Sequence, residues 1–392
     1  MKNASIPLPT RWEIFCQVVD NFGDIGVCWR LARDLAANHG VRVRLWVDDW
    51  GSFARLCPPA AAADPACGFQ HLGVEVRLWS RPFPEVEPAD VVIEAFACEI
   101  PESHLQAMAA RAVKPVWINL EYLSAEDWVG GCHRMASPHP RLPLVKHFYF
   151  PGFDAATGGL LREAGLLAER DAFRREPRAR WLAERGVGQP PADTLLVSLF
   201  AYEQPDLPAL LRTWENGPRP VVALVPEGRV LGDVARALGR PDLATGDRVD
   251  RGRLGVVVLP FSDQPGYDHL LWACDLNFVR GEDSFVRAQW AGTPFVWQIY
   301  PQHDQDGVHR DKLEAFLARY AATLEPRAAQ ALRDFWLAWN EEEGLAEHWP
   351  AFAANLPVLA EHAARWCDEL AAQPDLATGL TKFCFDILAA PR

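Results

Sequence analysis

The chain has 392 residues, 49% hydrophobic and 23% charged, so it can bury large cores and its length calls for two domains; a disordered chain and a single small module are excluded. Its 39 basic and 52 acidic residues leave a formal charge of −13. That argues against nucleic acid as a partner, because binding a phosphate backbone needs clustered Lys and Arg. The nine cysteines are scattered and contain no C-x-x-C pair, which fits free thiols in a reducing compartment. Residues 1–10 have no apolar core behind them, and no apolar run approaches the ~20 residues that span a bilayer. No basic amphipathic stretch suggests surface docking. A cytoplasmic protein that does not attach to membranes is expected.

In chain order, short apolar runs and helical stretches alternate over 13–19, 27–38, 41–47, 74–78, 91–95, 103–110 and 116–120. Such alternation predicts a parallel sheet with crossover helices over 1–150. Around 143–159 the pattern breaks into aromatics, prolines and glycines, and 162–185 is charged, so 151–190 is expected to connect two domains. A second alternation follows at 194–200, 207–214, 221–225, 256–259, 269–273, 276–279, 285–291 and 295–299, giving a second α/β domain over 191–365. The remainder is helical in composition, and a C-terminal helix at about 366–392 is expected to pack back on the first domain. The fold class is α/β, with two Rossmann-like domains facing a central cleft.

In doubly wound sheets ligands gather where strand C-termini meet helix N-termini. The segment Asp20-Asn21-Phe22-Gly23-Asp24-Ile25-Gly26 lies at such a place, after the run 13–19, but it lacks the full G-x-G-x-x-G of a dinucleotide site. Asp20 and Asp24 read in two ways: a turn former with a helix cap, or a general base with a carboxylate that orients a cationic acceptor. Arg280-Gly281-Glu282-Asp283-Ser284 occupies the same position in the second domain. There Gly281 permits a tight turn and Ser284 can cap. The free N–H groups of the first helical turn, with Arg280, suit a diphosphate, although an ordinary capped helix has the same look. Phe200, Tyr202, Phe261 and Tyr300 follow strands and could sandwich a nucleobase, or sit there by coincidence in a chain with 16 Trp and 20 Phe. Asp304-Gln305-Asp306, with His303 and His309, reads as a polar loop, and no metal is expected.

Three stretches carry a resemblance. They are Phe15-Cys16-Gln17-Val18-Val19-Asp20-Asn21-Phe22-Gly23-Asp24-Ile25-Gly26-Val27-Cys28-Trp29-Arg30, Ser198-Leu199-Phe200-Ala201-Tyr202-Glu203 and Phe278-Val279-Arg280-Gly281-Glu282-Asp283-Ser284-Phe285-Val286-Arg287-Ala288-Gln289. From about residue 12 to its end the sequence resembles the EarP family of bacterial protein-arginine rhamnosyltransferases. The resemblance implies a GT-B glycosyltransferase fold, dTDP-β-L-rhamnose as donor, an arginine of translation elongation factor P as acceptor, and inversion without metal or other cofactor. It places Asp20, Asp24 and Glu282 on the family's essential carboxylates. Phe200, Tyr202, Phe261, Gln264, Arg280, Asp283, Ser284 and Tyr300 fall on or beside its nucleotide-binding positions. Two other readings are a GT-B transferase with a lipid or small-molecule acceptor and a non-catalytic nucleotide-sugar-binding regulator. The first lacks a membrane face in the sequence, and the second leaves Asp20 and Asp24 without a purpose.

Overall fold

A computed structural model describes residues 10–19, 22–300 and 307–390. The chain divides into two compact units, one of residues 1–164 and 370–392 and one of residues 165–369.

The first unit is built on an eight-stranded sheet: β1 (Arg11–Cys16), β2 (Arg42–Val47), β3 (Phe69–His71), β4 (Val74–Leu78), β5 (Val91–Ala95), β6 (Val116–Leu120), β7 (Ala136–Pro138) and β8 (Val145–Tyr149). Their order is β3-β4-β2-β1-β5-β6-β8-β7, parallel except where β3 meets β4 and β7 meets β8. The central strands β1, β5 and β6 are almost wholly buried, as a sheet covered on both faces requires, and are mostly apolar, with Glu13, Glu94 and Asn119 as buried polar exceptions. The sheet order reverses direction between β1 and β5. The C-terminal helix Leu376–Ala389 belongs to this unit, with Phe385 edge-on to Trp12 at 6.4 Å. Chain approach there is close: Leu376 N–H donates to the Leu160 carbonyl (2.9 Å), and a Cβ on Gly159 (φ +73°) would lie 2.4 Å from the Pro374 carbonyl oxygen.

The second unit has a six-stranded sheet: β9 (Leu195–Leu199), β10 (Val221–Pro226), β11 (Arg248–Arg251), β12 (Leu254–Leu259), β13 (Leu276–Arg280) and β14 (Phe295–Gln298). The order is β11-β12-β10-β9-β13-β14, with only β11 antiparallel to its neighbour. Its order reverses between β9 and β13. The segment expected as a connection, 151–190, is divided between the units. Its charged part forms the helices Leu166–Arg175 and Pro177–Glu184. The arginines of that part satisfy helix C-terminal carbonyls: Arg170 donates to the Trp290 carbonyl (2.8 Å), Arg174 to Ala291 (2.7 Å) and Arg178 to Ala273 (2.9 Å). Burial, with the neighbouring cations Arg170 and Arg178 adding to it, lowers the Arg174 pKa to about 10.

All nine cysteines are free thiols. Among the described residues no helix is long and apolar enough to cross a membrane.

Candidate functional site

Each unit gathers its candidate residues where the strand order reverses, the place at which a doubly wound sheet leaves loops free to meet a ligand. In the first unit that place follows β1. Asp20 lies outside the described residues, but the chain on both sides of it is described. Asp24 is the second residue of the helix Gly23–Asn38 and is 1% exposed. It does not cap the helix: Phe22 stands at the cap and its side chain makes no cap bond. Instead one Asp24 oxygen accepts the Val19 N–H (2.8 Å) and the other accepts the Tyr122 hydroxyl (3.0 Å). The carboxylate thus fastens the end of the loop that leaves β1, and its place in the first helical turn suits its charge.

Tyr122 follows β6 and is held by a stack on Phe96, with ring centroids 4.3 Å apart and planes 16° from parallel. Phe96 and Ala97 both adopt positive φ (57° and 56°) just past β5, a conformation that costs of order 1–3 kcal/mol per residue and is tolerated where surroundings enforce it. The Ala97 N–H donates to the Asn119 side chain at 3.1 Å, one of the bonds that enforce it. Tyr122 and Phe96 carried no sequence signal, because what makes them matter is contact with a residue 98 positions away.

In the second unit the end of β13 and the loops after β9, β12, β13 and β14 carry the candidates. Arg280 ends β13 and is 5% exposed. Its guanidinium carbon lies 4.6 Å from the ring centroids of both Phe200 and Tyr202. Rings expected to hold a nucleobase therefore flank a cation, an attraction worth ~0.5–2 kcal/mol per ring depending on desolvation. Tyr202 is 3% exposed and also meets Tyr300 edge-on at 5.6 Å, whereas Phe200, Phe261 and Tyr300 are half-buried.

The turn after Arg280 is held from several sides. Ser284 Oγ accepts the Arg280 N–H (3.0 Å) and donates back to the Arg280 carbonyl. Trp297 Nε1 donates to the Gly281 carbonyl (2.9 Å), and Gly281 takes φ +60°, where a side chain would be strained. Glu282 and Asp283, both half-buried, open the nine-residue helix Asp283–Ala291, so its first N–H groups lie beside Arg280.

Gln264 is buried at the start of the helix Gln264–Ala273, three residues after Phe261 in the loop that leaves β12. One turn on, Tyr267 packs edge-on to Phe200 at 5.2 Å, which ties this helix to the loop after β9. Burial pushes the Tyr267 phenol far above its ordinary pKa, and Ser284, Asp283 and Arg280 are all close enough to act on it. Gln298 clamps the loop after β9: its side-chain oxygen accepts the Tyr202 N–H (2.8 Å) and its amide donates to the Glu203 carbonyl (3.2 Å). Sequence reasoning passed over Tyr267 and Gln298. A glutamine ending an otherwise apolar strand, Phe-Val-Trp-Gln, was the available sign for the latter.

Asp304, Asp306 and His303 lie outside the described residues. Among the described ones, the ligand atoms of Asp34, His39 and Asp375 form a group within 4.8 Å of one another, and no candidate residue belongs to it.

Comparison with known proteins bears on both halves. A family model described as "Elongation-Factor P (EF-P) rhamnosyltransferase EarP" matches residues 12–385. The protein-arginine rhamnosyltransferase of Pseudomonas aeruginosa is 54% identical over 380 residues, 96% of this chain and 99% of that protein. That of Neisseria meningitidis serogroup B is 36% identical, covering 94% of this chain and 96% of its own. A solved structure described as the structural basis for EarP-mediated arginine glycosylation of translation elongation factor EF-P superposes with a TM-score of 0.69 at 40% identity, over 96% of this chain and 99% of that one. A glycosyltransferase from Rickettsia africae, 9% identical with a TM-score of 0.53 over 97% and 99% of the two chains, shares the fold alone. Two Rossmann-like units on one chain are the GT-B architecture.

Proposed function

The chain belongs to the EarP family, and from that premise we propose that it transfers L-rhamnose from dTDP-β-L-rhamnose to an arginine guanidinium of translation elongation factor P. The observation that carries the proposal is Arg280, a buried guanidinium held by two rings beside a helix N-terminus, where an anionic leaving group would be stabilised.

The acceptor sets the first requirement. A guanidinium is protonated at neutral pH, with a pKa above ~12, and is a poor nucleophile until a carboxylate takes one of its protons. In our reading Asp20 is that base, from its position after β1 and the family resemblance. The bonds that Asp24 accepts from Val19 and Tyr122 favour a positioning role: it holds Val19, the residue before Asp20 in the sequence. The arginine nitrogen then forms a bond to the anomeric carbon as the bond from that carbon to the diphosphate oxygen breaks, through a transition state with oxocarbenium character. The proton goes to Asp20 and the electron pair leaves with dTDP. One displacement by one nucleophile inverts the anomeric centre. Arg280 and the N–H groups of the helix Asp283–Ala291 receive the departing charge, so the step is proposed to need no metal and no cofactor. Glu282 and Asp283, as acids, suit sugar or ribose hydroxyls better than phosphate, and the half-buried rings of Phe261 and Tyr300 suit the thymine. The proposed setting is the cytoplasm.

The experiment is release of dTDP from dTDP-β-L-rhamnose, followed with intact elongation factor P and with a variant whose acceptor arginine is lysine. Release that depends on the arginine supports the proposal. Equal release with both acceptors, or none with either, overturns it.

A further inference from the structure

The loop after β10 brings a second arginine to the Arg280 cluster. The loop approaches that cluster at three points. A Cβ on Gly228 would lie 3.7 Å from the Phe200 ring. The Arg229 guanidinium carbon is 5.7 Å from the centroid of Tyr202, the ring that also holds Arg280. Arg229 Nη1 stands 3.7 Å from the Glu203 carboxylate.

Arg229 differs from Arg280 in its exposure and in its bonding. Its side chain is 44% exposed and that of its partner Glu203 62%. The pair is too long for a hydrogen bond, and an exposed ion pair of this kind contributes little to stability. Arg229 forms no hydrogen bond among the described residues, so its fork of N–H donors is uncommitted. The neighbourhood is otherwise acidic: Glu342 has its pKa raised by burial and then by Asp233 and Glu203. An anion approaching this rim is repelled by carboxylates and attracted by Arg229.

We propose that Arg229 binds the diphosphate of the donor nucleotide as a second cation beside Arg280, exchanging the Glu203 carboxylate for phosphate oxygens when the nucleotide enters. The inference rests on the nucleotide-sugar reading of the second unit. Arg280, fixed between rings, supplies a positioned charge. Arg229, exposed and loosely paired, supplies attraction from solution and a planar fork suited to two phosphate oxygens. Glu203 is its competitor, so removing that charge frees the arginine.

The test is calorimetric titration of the full chain with dTDP and dTMP, on the wild type and on Arg229→Ala, Arg229→Lys and Glu203→Gln. Thermal unfolding of each variant is run alongside, and these exposed side chains should leave it unchanged. Arg229→Ala should weaken dTDP about tenfold and dTMP much less, with Arg229→Lys in between. Glu203→Gln should tighten dTDP about threefold, and more at low salt than at high. Wild-type affinity for dTDP in Arg229→Ala, or an equal loss for both nucleotides, overturns the assignment. A wild-type protein that binds neither nucleotide overturns the reading of the second unit, and this inference with it; that failure appears before any variant is made.

Discussion

Removing the Tyr122 hydroxyl isolates the part of the first unit on which the proposed chemistry depends. In Tyr122→Phe the ring still stacks on Phe96 at about its present 4.3 Å, so the change deletes one donor and little else. The lost bond runs 3.0 Å to an Asp24 carboxylate that is 1% exposed, so bulk solvent is poorly placed to replace it. A hydrogen bond to a charged group contributes ~1.5–3 kcal/mol, which sets the ceiling on the combined loss of stability and of loop order. If half of it is expressed in the transition state, turnover falls roughly three- to tenfold, since each 1.4 kcal/mol is a factor of ten. Single-turnover transfer followed by intact mass gives the rate, thermal unfolding gives the stability, and dTDP titration should be unaffected because the nucleotide is proposed to bind the second unit. Combining Tyr122→Phe with Asp24→Asn should cost less than the sum of the two, because they share one interaction. Unchanged turnover together with unchanged stability would refute the positioning role of Asp24, and so would strict additivity.

Other outcomes follow from the same geometry. Arg280→Lys keeps the charge but loses the planar fork and its packing between two rings, so dTDP affinity should fall about tenfold with the fold intact, as read by calorimetry. Gln298→Ala leaves the buried Tyr202 N–H without its acceptor, a cost of ~1–3 kcal/mol that should appear both in thermal unfolding and as weaker dTDP binding. His133 accepts the Phe150 N–H at Nδ1 (3.2 Å), and burial, aided by the Arg134 cation, lowers its pKa to about 4. Between that value and the ordinary ~6.5 the unfolded chain binds the extra proton, so stability should fall as pH drops through this window. His133→Gln should flatten the fall without abolishing it, because burial lowers His147, His269 and His362 as well; a slope identical to wild type would count against it.

Much of the frame was legible because the parallel strands are short, mostly apolar runs. The runs 74–78, 91–95 and 116–120 coincide with β4, β5 and β6 to the residue. What escaped were the short antiparallel strands β3, β7 and β11 and the mixed strand β8, whose exposed faces break the apolar pattern. The charged stretch 162–185 misled for a related reason. Its arginines look like solvated surface in one dimension, but Arg170, Arg174 and Arg178 reach carbonyls about a hundred residues away. In the site, loop position alone singled out Arg280, because a strand end before a glycine turn is a local feature. The rings around it, the clamp of Gln298 and the anchoring of Asp24 by Tyr122 depend on contacts that no spacing announces.

The most direct measurement is the intact mass of purified elongation factor P after incubation with dTDP-β-L-rhamnose and either the wild-type chain or Asp20→Asn, with dTDP titration confirming that the variant still binds nucleotide. One added deoxyhexose, on an arginine, is expected with the wild type and none with the variant, whose dTDP affinity is unchanged. Full modification by Asp20→Asn would contradict the assigned base, and an unmodified acceptor with the wild type would contradict the proposed reaction itself.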